Sequence, residues 1–445
     1  MAVQPPLFPT AVSAADVGAW CHALARRLWP LCRSLTGPGT RETLRLLAEE
    51  LPGLTMHAVP SGSAAFDWTV PDEWTIRAAY IEDEASNRVV DFAWNNLHVI
   101  GYAEPVDTWL SLEDLQPFLY SLPEQPDAIP YVTSYYKRRW GFCLSQHQRD
   151  ALKPGKYHVV IDADLAPGEL NYSELVLPGT SKKEIFISTY VCHPSMANNE
   201  LSGPVVTAAI AKWLAALPER HYTYRIAFIP ETIGALVYLS RNLPHLKAHV
   251  HAGFNVSCIG DDRAYSYLPS RNGGTVSDRV AKHVLSHIAP DYKTYTWLQR
   301  GSDERQYCAP GVDLPMATIM RSKFGEYPEY HTSLDDLETV VTPSGLGGGF
   351  AALQRAITVL EEDFIPRVTT LGEPQLGKRG LYPNVSVKGS ADGVRVMMNM
   401  ISYCDGTRSL LEIADVIGRP FWELSGLMGP LLKEGLIVKE SVKLA

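Results

Sequence analysis

No CxxC pair occurs in the chain, and its seven cysteines, Cys21, Cys32, Cys143, Cys192, Cys258, Cys308 and Cys404, are odd in number and scattered. That excludes a disulfide framework or a cysteine-rich zinc knot and points to reduced thiols. Positive charge is also short: 40 Lys and Arg stand against 49 Asp and Glu, a formal net charge of −9. A nucleic-acid protein would want a clustered basic face instead. No apolar run reaches the length of a membrane span, and "MAVQPPLFPTAVSAADVGAW" lacks a basic segment leading into an apolar one. These absences predict a cytoplasmic protein that binds neither membrane nor nucleic acid. Internal repeats and low-complexity tracts are absent too.

What remains is a chain of 445 residues, 46% hydrophobic and 20% charged, with length for roughly three domains. Apolar residues recur at helical spacing from Asp16 to Glu50, in two blocks separated by a turn at Thr36–Thr40. From about Phe66 to Asp164 the pattern becomes short, β-rich, aromatic and proline-punctuated, as in "DWTVPDEWTIRAAYI" and "KYHVVIDADL". It reads as an insertion. Beyond it, strands alternate with helices: "EIFISTYVCH", "GPVVTAAIAKWLAAL", "YRIAFIP", "TIGALVYLSRNL", "VHAGFNVSCIG". That alternation predicts an α/β fold with a mainly parallel sheet flanked by helices, whose ligand crevice lies beyond the carboxyl ends of the strands. After about Thr370 three helical segments and "LIVKE" predict a C-terminal winged helix. The expected boundaries are 1–65 with 165–368 for the α/β domain, 66–164 for the insert and 369–445 for the winged helix.

Polar residues gather where the predicted strands end. His193 and Glu200 lie across one loop, Glu231 directly follows "YRIAFIP", and His331 sits in "GEYPEYHTSLDDLE" with Asp335 in reach as an orienting partner. Histidines and carboxylates converging from separate strand ends suit a catalytic zinc with an open water position. Each has a plainer use: a hydrogen-bonded histidine, a helix cap at Asn198 or Asn199, a first-turn glutamate, a surface loop. Their joint occurrence favours the metal.

The order His193, "NNELSG", Glu231 in "PETIG", "FNVSCIG", "GSDERQY" and "YHTSLDD" resembles the zinc aminopeptidase superfamily that includes leucine-type aminopeptidases and glutaminyl cyclases. "RSLTGPGTRETL", "FDWTVPDEW", "TSYYKRRWGFC" and "CHPSMANNELSGP" further resemble an uncharacterised bacterial aminopeptidase-like family with a β-rich insert and a winged helix, associated with polysaccharide or natural-product gene clusters. The resemblance implies a zinc hydrolase, but three carboxylates of the two-metal pattern are replaced, by Asn199, Thr232 and Ser257. An aspartate that often follows the first histidine by two is also missing, with Ser195 in its place. The expectation is therefore one Zn2+ per chain on His193, Glu200 and His331, with Glu231 as general base or alternative ligand and Asn199 beside the site. Asp303, Arg305, Arg321 and Tyr330 are expected to contact a small-molecule or short peptide substrate, the arginines through a carboxylate. Amide hydrolysis is the first reading, single-zinc acyl transfer or cyclisation the second, and a degenerate binding or assembly protein the third. The aromatic and basic "TSYYKRRWGFC" is expected to line a cleft or a contact. The third winged-helix segment, with Glu423 and Glu434 against Lys433, is expected to serve packing or a homo-oligomer rather than DNA.

Overall fold

The computed structural model describes residues 12–381 and 390–440. Its central sheet has eight strands: β1 (Thr55–Pro60), β2 (Glu169–Leu177), β3 (Glu184–Tyr190), β4 (Thr223–Ile229), β5 (Val250–Asn255), β6 (Ser266–Leu268), β7 (Lys293–Thr294) and β8 (Met316–Met320), in the order β1-β2-β4-β3-β5-β8-β6-β7. The middle four, β4-β3-β5-β8, run parallel. β6 and β7 also pair parallel, so four of the seven pairings are parallel, as expected, and β1–β2, β2–β4 and β8–β6 add antiparallel flanks. The sequence signal came from the centre: every residue of β3 is buried, as a strand covered on both faces requires, and such uniformly apolar runs carry no mark of the flanking pairings.

Helix α1 (Ala14–Leu28) starts on a Ser13 cap and α2 (Pro38–Glu50) starts with proline in its first turn. Helix α3 (Ser202–Ala216) is apolar nearly all round and is buried from Ser202 to Leu214. Its start presses against the strand ends. A Cβ on Gly203 would lie 2.5 Å from both Thr189 Oγ1 and the Val256 carbonyl oxygen. Gly203→Ala is therefore expected to cost about 1–3 kcal/mol, read as a lowered urea midpoint at unchanged m. An unchanged midpoint would disprove the tight approach.

The insert forms a four-stranded antiparallel sheet from Arg88–Asp91, Glu73–Asp83, Lys156–Ala166 and Val106–Ser111, in that order. It belongs to the same compact unit as the central sheet, made of residues up to 278 and 292–351. The second unit comprises 279–291 and residues from 352 onward. There helices Ser390–Ser402, Leu410–Ile417 and Phe421–Lys433 accompany a two-stranded wing in which Pro366–Val368 pairs with Ile437–Lys439. Within it, His283 takes the Phe421 N–H at 2.8 Å and bonds Asp415 at 2.6 Å. Among the described residues no helix is long and apolar enough to cross a membrane.

Candidate active site

The central parallel strands deliver their carboxyl ends to one place. Strand β3 runs on to His193, β4 to Glu231, β5 to Cys258 and β8 to Arg321. A cavity of about 310 Å³ opens there, lined by His193, Glu231, His331, Thr232 and Arg305 together with Cys192, Leu35 and Ile233. The insert closes it with Trp68, Tyr131, Thr133, Tyr135 and Tyr136.

His193 is held from behind. Its backbone N–H and its Nδ1 both reach Glu200 Oε2 at 3.0 Å. A carboxylate only accepts, so Nδ1 carries the proton and Nε2 is left facing the cavity, 3.7 Å from Glu231 Oε2. Burial opposes a charged imidazole here, yet the hydrogen bond to Glu200 and the charges of Glu200 and Glu231 outweigh it and hold the His193 pKa above its ordinary value.

Glu200 itself does not reach the cavity. Its side chain is fully buried against the equally buried Arg33, whose Nε stands 3.2 Å from Oε1. Arg33 also donates to the His193 carbonyl at 2.9 Å and the Leu28 carbonyl at 2.5 Å. Glu200, expected as a metal ligand, lies outside the cavity lining and orients His193 from behind, while its carboxylate stays within 4.8 Å of the Cys192 and His193 donor atoms. The cause is Arg33: a buried carboxylate turns to the cation that compensates it. Cys192 Sγ, His193 Nδ1 and Glu200 lie within 4.8 Å of one another, a cluster of donor atoms that could hold a metal ion. In the metal-free protein burial pushes the Cys192 pKa well up, and its sulfur accepts the Glu231 N–H at 3.2 Å.

His331 comes from the opposite side, its ring centroid 5.7 Å from that of His193. Tyr131 of the insert stands edge-on to both rings, at 5.2 and 5.1 Å. Its N–H bonds the His331 carbonyl at 2.9 Å, and Ser333 N–H bonds the Ile129 carbonyl at 2.9 Å. Burial first, then the His193 charge, lowers the His331 pKa to about 3. It is neutral at physiological pH.

The remaining expected residues take different places. Asp335 is not a partner of His331. It accepts the N–H groups of Asn198 (2.7 Å) and Asn199 (3.0 Å) and the Tyr327 hydroxyl (2.9 Å), because the π-helical turn Ala197–Leu201 presents unsatisfied N–H groups that a carboxylate caps. Burial raises its pKa to about 6. Asn199 accepts from Tyr190 at 2.9 Å, and its Nδ2 has no partner. Tyr330 stacks on His331 at 3.9 Å and is not among the cavity-lining residues. Arg321, expected at the substrate, packs on Tyr265 at 4.0 Å outside the cavity. A cation with an aromatic face beside it has no reason to extend further.

Asp303 lies behind Thr232 and accepts its N–H at 2.7 Å, with the other oxygen unpartnered. Burial, and then Glu231, drives its pKa well above the carboxylate range. Arg305 donates to Thr232 Oγ1 at 2.7 Å and the Ser302 carbonyl at 3.0 Å. Two non-glycine lining residues, Thr232 and His331, have φ of 63° and 57°, and Ser195 and Cys258, just beyond the ends of β3 and β5, have 39° and 49°. Such strain persists only where surrounding bonds hold it, and it clusters at functional sites. Sequence reasoning missed Arg33, Tyr131 and Cys192 as parts of the site. The one available signal was their presence in or beside motifs already singled out.

Comparison with known proteins fits this geometry. A family model described as "Domain of unknown function (DUF4910)" matches residues 22–363, and a "winged helix-turn-helix" model matches 364–439. A Clostridium acetobutylicum protein is 39% identical over 413 residues, covering 92% of this chain and 94% of its own. It is provisionally named as a polysaccharide biosynthesis protein with an aminopeptidase-like domain. A crystal structure of a provisionally named peptidase from the same organism superposes with a TM-score of 0.90, at 37% identity, over 96% of this chain and 97% of that one. A zinc aminopeptidase of Bacillus subtilis shares the fold at a TM-score of 0.56 and 12% identity, over 79% and 96% of the two chains. The aminopeptidase-like α/β fold and the winged helix are thereby established.

Proposed function

The chain belongs to the family described as a domain of unknown function (DUF4910), and from that membership and the chemistry of its cavity we propose that it cleaves an amide bond at a single zinc held by His193, Glu231 and His331. The substrate is an acylated or aminoacylated intermediate of polysaccharide assembly, the process for which the Clostridium acetobutylicum relative is named. The observation that carries the reading is the convergence of His193 Nε2, Glu231 and His331 on one cavity, with Glu200 bonded to the far nitrogen of His193. A hydrogen-bonded carboxylate behind a ligand histidine is a recurrent support of zinc sites.

The donor types suit one ion: two nitrogens and a carboxylate match the His₂Glu type, and His193 Nε2 and Glu231 Oε2 stand 3.7 Å apart. His331, whose ring centroid is 5.7 Å from that of His193, lies outside the cluster of donor atoms within 4.8 Å and has to close on the pair to complete the set. It does not fit two ions, since Asn199, Thr232 and Ser257 offer no charge to hold a second. Bound zinc would polarise the amide carbonyl and acidify a water. Glu231, the only acid among the described lining residues, faces His193 with one oxygen and would use the other to accept the water proton and pass it to the leaving nitrogen. Tyr131 stands edge-on to both histidines and, with Tyr135, which bonds its hydroxyl and also lines the cavity, limits the entry of bulk water.

Elemental analysis tests this. Wild type purified without chelator is expected to hold about one zinc per chain, and His193→Ala and His331→Ala to hold none. Glu200→Gln is expected to keep the site with affinity weakened about 10–100-fold. Wild type that takes up no zinc even when it is supplied would overturn the hydrolase reading and favour a binding or assembly role.

A further inference from the structure

Two large aromatic rings line this cavity and also reach solvent, Trp68 and Tyr136. Trp68 is 39% exposed and Tyr136 is 58% exposed. Their ring centroids are 5.6 Å apart and their planes cross at 72°, so they form two walls of a corner rather than a closed stack. Both come from the insert. Trp68 opens the second strand of a short hairpin, paired with Ala65, and Tyr136 lies in the segment whose neighbour Tyr135 bonds the Tyr131 hydroxyl at 2.5 Å. Such a corner accepts a ring whose faces are apolar and whose edges are polar.

The charges deeper in select further. An aminopeptidase substrate brings a free ammonium next to its scissile amide, and an ammonium needs an acid that is not already engaged. Glu231 is the only acid among the described lining residues, and Glu200 is closed off by Arg33. The cavity instead displays a cation. Arg305 is fixed through Nε to the Ser302 carbonyl and through Nη2 to Thr232, which leaves Nη1 free of any hydrogen bond to a described residue. A guanidinium so fixed repels an ammonium and suits a carboxylate.

Resting on the amidohydrolase reading, we propose that the cavity takes an acylated amino sugar that carries a carboxylate and no free ammonium, with its ring in the Trp68–Tyr136 corner and its carboxylate on Arg305. The acyl amide then lies toward His193, Glu231 and His331.

The test is calorimetric titration of the full chain, zinc-loaded and chelator-treated, with three probes. N-acetylmuramic acid has ring, amide and carboxylate; N-acetylglucosamine lacks the carboxylate; leucine amide has a free ammonium. N-acetylmuramic acid is expected to bind at least about tenfold more tightly than N-acetylglucosamine. Arg305→Gln is expected to erase that difference, and Trp68→Ala to weaken both sugars about tenfold or more while circular dichroism stays that of wild type. Tighter binding of leucine amide, a carboxylate preference that survives Arg305→Gln, or no sugar binding in either form would overturn the proposal. The same sugar preference in a protein that holds no zinc would sink the hydrolase reading and uphold this one.

Discussion

Arg33→Met is expected to lower the unfolding free energy by about 3–5 kcal/mol, the usual cost of stranding one member of a buried ion pair. Both side chains are fully out of solvent, and among the described residues no other cation pairs with Glu200 save His193 when protonated. The loss arises from the carboxylate left behind more than from the pair itself. Arg33→Met combined with Glu200→Gln should therefore be more stable than Arg33→Met alone. Arg33→Lys should fall between, since an ammonium keeps the charge but cannot serve Glu200 and the carbonyls of His193 and Leu28 with one planar fork. Urea unfolding of the four proteins decides the matter. A single-variant loss under about 1 kcal/mol, or a double variant no better than the single, would mean that Arg33 is not compensating a buried charge.

Acid is expected to weaken the metal-free protein through His331. Burial and the neighbouring His193 lower its pKa from 6.5 to about 3, so between those values the unfolded chain takes a proton that the folded one refuses. Stability contributed by the neutral ring is complete above 6.5 and is lost progressively as pH falls toward 3. Asp335 acts in the opposite sense: raised from 3.8 to about 6, it gains stability as pH falls through that window. The two are separated by comparison with His331→Gln, in which Asp335 and the left-handed backbone at position 331 remain. The stability difference between wild type and His331→Gln should shift by roughly 3 kcal/mol against wild type from pH 7 to pH 4. Chemical unfolding in the presence of chelator measures it, and a difference that stays flat with pH would show that His331 titrates normally.

The placement of His193 and Glu231 was legible in the sequence because parallel strands put their carboxyl ends together, and an apolar run that stops at a polar residue marks such an end. His331 stood out as a histidine in a polar, proline-punctuated loop, and the resemblance to a family motif joined it to the strand-end residues. Tyr135 and Tyr136 were expected at a cleft or a contact and line the cavity. Other features were not legible for a physical reason. Arg33 meets His193 across 160 positions of sequence, and nothing local to "LCRSLTG" says that its arginine goes inward. Without Arg33, Glu200 looks like a ligand. Asp335 looks like a partner for His331 until the π-helical turn supplies two N–H groups that claim it, and Arg321 looks available until Tyr265 is seen to hold it. Each departure came from a partner distant in sequence capturing a charge.

The backbone joins between the insert and the His331 loop limit what can be cut from this protein. Ile129 and Tyr131 bond Ser333 and His331 directly, and Tyr131 supplies a wall against both histidines. A chain shortened to the α/β scaffold would retain its strand order yet release His331 from its tether and open the cavity to solvent. Although it interrupts the sequence as an addition would, the insert cannot be detached or exchanged as a module: the scaffold and the insert each hold half of one workplace, and a change of specificity has to be made in both.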